Sequence, residues 1–280
     1  MNIPAQITAS VVSHGQARLV NALIADLALH ASAHLKRLVV TMNVPEAEAV
    51  RCDGVPFEVL LLRNNRPLGF GANQNRAFQH CDTAWFAVLN PDLRFSDDAL
   101  GRMLAEREPH DGLIAPLILN ADGSPADAAR RLPTPFQIVS RKLRWKLHGP
   151  DPDFDWLAGM CLLLDSEVFR SLGGFDERYF MYCEDADLCL RMQLAGWHLH
   201  HVPSVKLVHE ARRDSHRSPR YMGWHIASLI RLWMSPTFWS YLQRRNDLGQ
   251  LRPNSAGKGS RVPEARNQPL IPDPDANAGG

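Results

Sequence analysis

The densest run of residues able to do chemistry is Gly173-Gly174-Phe175-Asp176-Glu177-Arg178-Tyr179-Phe180-Met181-Tyr182-Cys183-Glu184-Asp185-Ala186-Asp187-Leu188-Cys189-Leu190-Arg191. Glu184, Asp185 and Asp187 follow the aromatic stretch Tyr179 to Tyr182 and open a predicted helix from Glu184 to Leu194. The positive end of a helix dipole keeps carboxylates ionised. An ionised carboxylate beside an apolar wall suits a general base that takes a proton from a hydroxyl. Asp187 and Arg191 stand four residues apart and read as an ion pair on the helix face. Glu184 and Asp185 together exceed what capping requires and are the candidates for chemistry.

Three further segments carry polar groups at useful places. Asn90-Pro91-Asp92 follows the apolar strand Trp85 to Leu89, at the carboxyl edge where open α/β sheets bind ligands. Asn, Pro and Asp also make ordinary turns, but a carboxylate there can hold a divalent cation against a diphosphate. In Arg63-Asn64-Asn65-Arg66-Pro67-Leu68-Gly69-Phe70-Gly71-Ala72-Asn73-Gln74-Asn75, two glycines lead from a strand into a helix whose free N–H groups could meet phosphate or sugar oxygens. His209 ends the apolar stretch Val205 to Val208 and is followed by Arg212 and Arg213. An imidazole at a strand end can complete a metal shell, and either arginine could screen a departing diphosphate. His14, His200 and His201 read as surface or packing residues.

The elements that must position these groups follow a β-α-β grammar. Strands are expected at Ile7 to Val12, Leu38 to Thr41, Phe57 to Leu62, Trp85 to Leu89 and Leu113 to Leu117. Helices are expected at Ala17 to Leu29, Ala72 to Gln79 and Asp97 to Arg107, the last capped by Ser96. Such alternation predicts an α/β fold with a mostly parallel sheet flanked by helices. Ala126 to Pro152 is proline-rich and basic without a clean period and reads as a loop-rich insertion. Beyond it come the apolar stretch Trp156 to Leu164, a helix from Ser166 to Ser171, a short strand at Val205 to Val208 and a helix from Tyr221 to Leu242. Arg252 to Gly280 has the composition of a disordered tail.

These segments, in this order from Ile7 to Leu242, resemble family-2 inverting glycosyltransferases of the GT-A fold, especially the bacterial rhamnosyltransferase-like branch. Asn64 to Asn75 is similar to the family's Asn-rich Gly-Phe-Gly loop, and Asn90-Pro91-Asp92 to its variant of the Asp-x-Asp metal motif. The segment Gly173 to Arg191 is the most specific match. The resemblance implies Asp185 as catalytic base with Glu184 in close support, and Asp92 with His209 around Mg²⁺ or Mn²⁺. It implies donor contacts from Ser10, Asn64, Gly69, Gly71, Asn75, Asn90 and Arg212, and acceptor contacts from Trp156, Gly159 and Tyr182. The implied partners are a dTDP-, UDP- or GDP-linked sugar, with dTDP-rhamnose foremost, and a glycan or lipid-linked acceptor. The chain departs from the family where Ser10 to Gln16 replaces a strand ending in Thr-Tyr-Asn, and where Thr41-Met42-Asn43 replaces an Asp-Asn pair that holds the base.

Composition bounds the remaining alternatives. In 280 residues, 45% hydrophobic, Lys and Arg number 31 against 30 for Asp and Glu, so no global field recruits nucleic acid. The five cysteines show no metal-ligand or paired spacing, which fits thiols in a reducing, cytoplasmic setting. No apolar run approaches the roughly 20 residues that span a bilayer. Peripheral contact with the inner face of the plasma membrane is the remaining membrane option. For it the sequence offers Trp145 among Arg141, Lys142, Arg144 and Lys146, and the basic-aromatic stretch Tyr221 to Leu242. The preferred reading of that stretch is a helix packed on the domain with a solvated basic face. The expected divisions are a nucleotide-sugar half at 1–120, an acceptor and catalytic half at 121–217, a helical segment at 218–251 and a tail at 252–280. Two rivals are weighed: a sugar nucleotidyltransferase, which would need a Gly-rich, Arg- and Lys-bearing loop absent between Ser10 and Arg18, and a non-catalytic nucleotide-sugar-binding protein.

Overall fold

The computed structural model describes residues 6–132, 154–210 and 219–250. The first half alternates as its apolar pattern dictates: β1 (Ile7–Ser13), α1 (Ala17–His30), β2 (Leu35–Met42), β3 (Glu58–Arg63), α2 (Phe70–Phe78), β4 (Trp85–Leu89), β5 (Leu93–Arg94), α3 (Ala99–Ala105) and β6 (Asp111–Asn120). The second half supplies β7 (Ala129–Arg130), β8 (Trp156–Leu157), β9 (Cys161–Asp165), α4 (Ser166–Ser171), α5 (Glu184–Leu194), β10 (His198–His209), α6 (Pro219–Met234) and α7 (Pro236–Gln250). Met1–Gln243 form one compact unit, and Arg244–Gly280 a second.

Among the described residues, one sheet takes the order β3-β2-β1-β4-β9-β6-β10-β5, and β7 with β8 forms a small separate ribbon. β4 is buried along its whole length, which is why it reads as an unbroken apolar run rather than an alternating one. Each strand of the left half sends alternate side chains to two cores. Ile7, Ala9 and Val11 pack with α1 through Val20, Leu23 and Leu27 on one face. Val39, Phe86 and Val88 meet the helices of the acid-bearing half on the other.

The sheet is less parallel than the sequence pattern predicts. β9 runs antiparallel to both β4 and β6, so that Cys161 at its start lies opposite Leu89 at the end of β4. The apolar stretch Trp156 to Leu164 is therefore two strands in two sheets, separated by a turn at Ala158 to Met160 in which Met160 N–H meets Ala158 O at 2.7 Å. β10 extends well beyond Val205 to Val208. It pairs with β6 on both sides of a register shift between Val202 and Lys206, where Pro203 offers no N–H to the ladder. α3 starts at Ala99, capped by Asp98 rather than Ser96, through Gly101 N–H to Asp98 Oδ1 at 3.0 Å. The stretch Tyr221 to Leu242 breaks at Ser235-Pro236, where Ser235 Oγ donates to Leu232 O at 2.8 Å and accepts from Phe238 N–H at 3.2 Å. Proline favours the first turn of α7 because it has no N–H to orphan there. The basic cluster around Trp145, most of the Ala126 to Pro152 insertion and the tail lie outside the described residues.

Gly69 shows how tightly the halves are joined. A Cβ there would lie 2.5 Å from Phe180 O and 2.9 Å from Phe180 Cα, both backbone atoms. Gly69→Ala is expected to lose about 1–3 kcal/mol through overpacking. Gly223→Ala, where nothing lies within 4 Å, is expected to gain up to about 1 kcal/mol from helix propensity. Urea denaturation of the two variants measures both, and equal midpoints would contradict the close approach.

Candidate active site

The carboxylates of α5 sit where the chain makes a conformationally costly turn. Tyr182 and Cys183 adopt left-handed φ values of 71° and 65°, which non-glycine residues take at a cost of about 1–3 kcal/mol each. The surroundings over-determine that turn. Phe180 O accepts Phe70 N–H at 2.9 Å, Phe180 packs on Trp224 with ring centroids 4.7 Å apart, and Ser228 Oγ donates to Met181 O at 2.8 Å. Arg191 pairs with Asp187 at 2.7 Å, as the spacing predicts, and also donates to the carbonyls of Leu172 and Gly174. That anchors the two-glycine bend ahead of the acids.

Glu184 and Asp185 have different surroundings. Asp185 Oδ2 accepts Gly159 N–H at 2.9 Å and its Oδ1 accepts Ala186 N–H at 2.8 Å. Glu184 is 5% exposed, and its Oε2 has no partner. Burial pushes both carboxyls above their ordinary range. For Asp185 the Gly159 N–H and the charge of Arg130 pull in the opposite direction, whereas the neighbouring charge of Asp185 pushes Glu184 up further. Burial and the neighbouring carboxylate act on Glu184 in the same direction, whereas at Asp185 burial is opposed by the Gly159 N–H and by Arg130.

A second polar centre forms where β4 ends. Asp92 O accepts Glu210 N–H at 2.9 Å, and β5 pairs with β10 so that Leu93 faces His209. Asp92 Oδ1 and His209 Nε2 thereby come within 2.9 Å. Asp92 Oδ1 is nonetheless a buried oxygen without a properly aligned hydrogen bond. Two lone-pair donors at that separation match neighbouring ligands of a hexacoordinate cation with bonds of about 2.0–2.1 Å, which stand roughly 3 Å apart. The residues therefore fit a divalent metal. No third His, Cys, Asp or Glu joins them among the described residues, so diphosphate oxygens and water would complete the shell.

The two centres share one turn. Asn90 N–H donates to Met160 O at 2.9 Å, and the adjacent Gly159 donates to Asp185. The structure thus brings Asn90, Asp92, His209, Gly159, Glu184 and Asp185 to one edge of the sheet.

The other residues expected to contact ligand stand in varied surroundings. Ser10 is fully buried in mid-strand, with its Oγ unpartnered beneath α2, and is not at the sheet edge. Asn64 donates to Asn43 and Asn73 and accepts from Arg76. Asn75 binds the backbone N–H and O of Phe175 and the carboxylate of Glu177. Gly69 and Gly71 make room for Phe180 and Phe175. Trp156 is buried beneath Arg130, and its indole N–H is taken by Arg131 O at 3.1 Å. Tyr182 keeps partial exposure, its ring 5.0 Å from that of His225. Arg212 lies outside the described residues. Sequence reasoning missed Arg130, whose charge acts on Asp185, because it stands in a stretch without motif or period. It also missed the joining role of Met160, which is a backbone contact and carries no side-chain signal.

The acid pair and the Asp92–His209 pair stand at the carboxyl edge of a mixed α/β sheet of the GT-A class. The chain belongs to glycosyltransferase-like family 2, whose model matches residues 4–227. It is 29% identical over 261 residues to the N-acetylglucosaminyl-diphospho-decaprenol L-rhamnosyltransferase of Mycobacterium tuberculosis, covering 74% of this chain and 84% of that one. It is 31% identical over 182 residues to the rhamnosyltransferase WbbL of Escherichia coli, covering 58% and 69%. These relatives put it in the rhamnosyltransferase-like branch. The fold is shared at 16% identity with a mannosyltransferase of Pyrobaculum calidifontis solved with GDP-Man and Mn²⁺, TM-score 0.53, over 86% of this chain and 75% of that one. Family membership sets the nucleotidyltransferase rival aside.

The raised carboxyl of Glu184 has a consequence for stability. An acid whose folded-state value exceeds its unfolded one costs nothing at low pH, and it destabilises progressively as pH rises from the ordinary 4.5 toward the folded value. Glu184→Gln is expected to melt close to wild type near pH 4 and increasingly above it toward neutral pH. Thermal melts across that range test the assignment, and parallel curves would contradict it.

Proposed function

We propose that this chain is an inverting, metal-dependent glycosyltransferase that moves rhamnose or another deoxyhexose from a nucleotide-diphosphate sugar to a hydroxyl of a lipid-linked glycan precursor. The sugar and acceptor are those named for its Mycobacterium tuberculosis relative. The single observation that carries the mechanism is the contrast within the acid pair: Asp185 is held by two backbone N–H groups, and Glu184 is buried with its Oε2 unpartnered.

In this reading Asp185 Oδ takes the proton of the acceptor hydroxyl. The hydroxyl oxygen then forms its bond to the anomeric carbon while the bond from that carbon to the diphosphate oxygen breaks, so a single displacement inverts the configuration. Gly159 N–H fixes the carboxylate, and Ala186 N–H keeps it aligned. Neutral Glu184 avoids a second charge that would oppose ionisation of the base. Asp92 and His209 would hold Mg²⁺ or Mn²⁺, which when bound supplies positive charge to the leaving diphosphate. Structures of the same fold solved with Mn²⁺ support that cofactor.

Asp185→Asn is expected to reduce transfer from dTDP-rhamnose by about 10²–10⁴-fold while leaving Mn²⁺-dependent nucleotide binding in place. Glu184→Gln, which copies the neutral carboxyl, is expected to stay within about tenfold of wild type. Steady-state kinetics on both variants decide between them, and the reverse ranking would make Glu184 the base. Asp92→Ala is expected to weaken Mn²⁺-dependent donor binding by calorimetry, and chelation of the wild type to abolish transfer. An unchanged binding isotherm would remove Asp92 from the metal site.

A further inference from the structure

α6 has two faces with opposite needs. Its inner face is buried through Ser228 and Leu232, and it carries Trp224 against Phe180. Its outer face presents Met222, Ile226, Ile230 and Met234, spaced every four residues and 56%, 51%, 47% and 78% exposed, with Trp239 of α7 at 61%. The large exposed hydrophobics among the described residues otherwise comprise only Leu29 and Leu61. An apolar row concentrated on one helix, facing away from the core that the helix serves, is stable in water only at a cost that contact with another apolar phase removes.

The charge pattern narrows what that phase is. From Ser215 to Asn246 the sequence holds no Asp or Glu, yet it carries Arg217, Arg220, Arg231, Arg244 and Arg245, in a chain whose totals otherwise balance. Arg220 lies 4.7 Å over the Trp224 ring and Arg231 lies 6.0 Å over the Tyr179 ring. Both are exposed, on the same helix as the apolar row. Two copies meeting face to face would bring like charges together, whereas an anionic interface accepts the arginines and the apolar row at once. No described helix is long and apolar enough to cross a membrane, so the helix would lie along the surface.

We propose that the outer face of α6, with Trp239, docks on the surface of an anionic phospholipid bilayer. Because the inner face of the same helix supports Phe180 and Met181 just ahead of Glu184 and Asp185, docking sets the acid pair close to the level of the lipid headgroups. The helix exposes Arg220 and Arg231, as the sequence pattern allowed, and an apolar row in addition.

The test uses the full chain in co-sedimentation with vesicles of mixed phosphatidylglycerol and phosphatidylcholine, against phosphatidylcholine alone. Wild type is expected to bind the anionic vesicles preferentially, and more weakly as salt rises. Ile226→Glu/Ile230→Glu is expected to reduce that binding by on the order of tenfold or more, and Ile226→Gln/Ile230→Gln by a smaller factor. Both should keep the wild-type melting temperature and Mn²⁺-dependent nucleotide binding, so that failure to dock is distinguishable from loss of the transferase site. Equal binding to both vesicle types, or undiminished binding by the Glu variant, would overturn the proposal. So would a wild-type dimer in sedimentation equilibrium that the Glu variant dissociates, since the face would then belong to a second copy.

Discussion

The turn from Ala158 to Met160 is the constraint on which the site depends. It exists because β9 enters the sheet antiparallel beside β4, so the start of one strand lies at the end of the other. Two backbone groups of this turn then reach in different directions: Met160 O to Asn90 N–H, and Gly159 N–H to the Asp185 carboxylate. Asp92 and Asp185 are separated by almost a hundred residues of chain, yet Asn90, two residues before Asp92, and Asp185 itself bond to the same three-residue segment. Neither contact uses a side chain of the turn, so its residues are constrained mainly in conformation.

A second consequence concerns strain. Holding Tyr182 and Cys183 in left-handed geometry stores energy at the start of α5, and the Phe70 bond to Phe180, the packing of Phe180 on Trp224 and the Ser228 contact keep it there. The aromatic stretch ahead of the acids thus serves as a clamp, with α6 as its outer jaw. The bend at Gly173-Gly174 is fixed from the other side by Asn75 and Arg191. The acids are held by both halves of the chain, consistent with the rule that a general base must be oriented before it is tuned.

The polar residues of the Gly-Phe-Gly loop illustrate how one residue type can serve two purposes. Asn43, Asn64 and Asn73 satisfy one another and the carbonyls of Leu68 and Gly69. Such a closed network leaves few donors for a ligand, and it explains the density of asparagines without a nucleotide. The glycines explain themselves equally locally, since Phe175 and Phe180 occupy the space a side chain would need.

By itself the amino-acid sequence determined the alternation of strands and helices, because period and burial act over a few residues. It also singled out Glu184, Asp185, Asp92 and His209, because acidic residues at a helix start and polar residues at a strand end are local signals. Only the tertiary structure decided that β9 reverses direction, that Asp92 and His209 meet, that Arg130 favours the ionised form of Asp185, and that Asn64 and Asn75 bond to the framework. These depend on pairings across as many as a hundred residues, and the free energy of a hydrogen bond or a buried charge is set by its partner in space. A local pattern names the groups that can ionise or ligate; the packed sheet decides which of them remain available to do so.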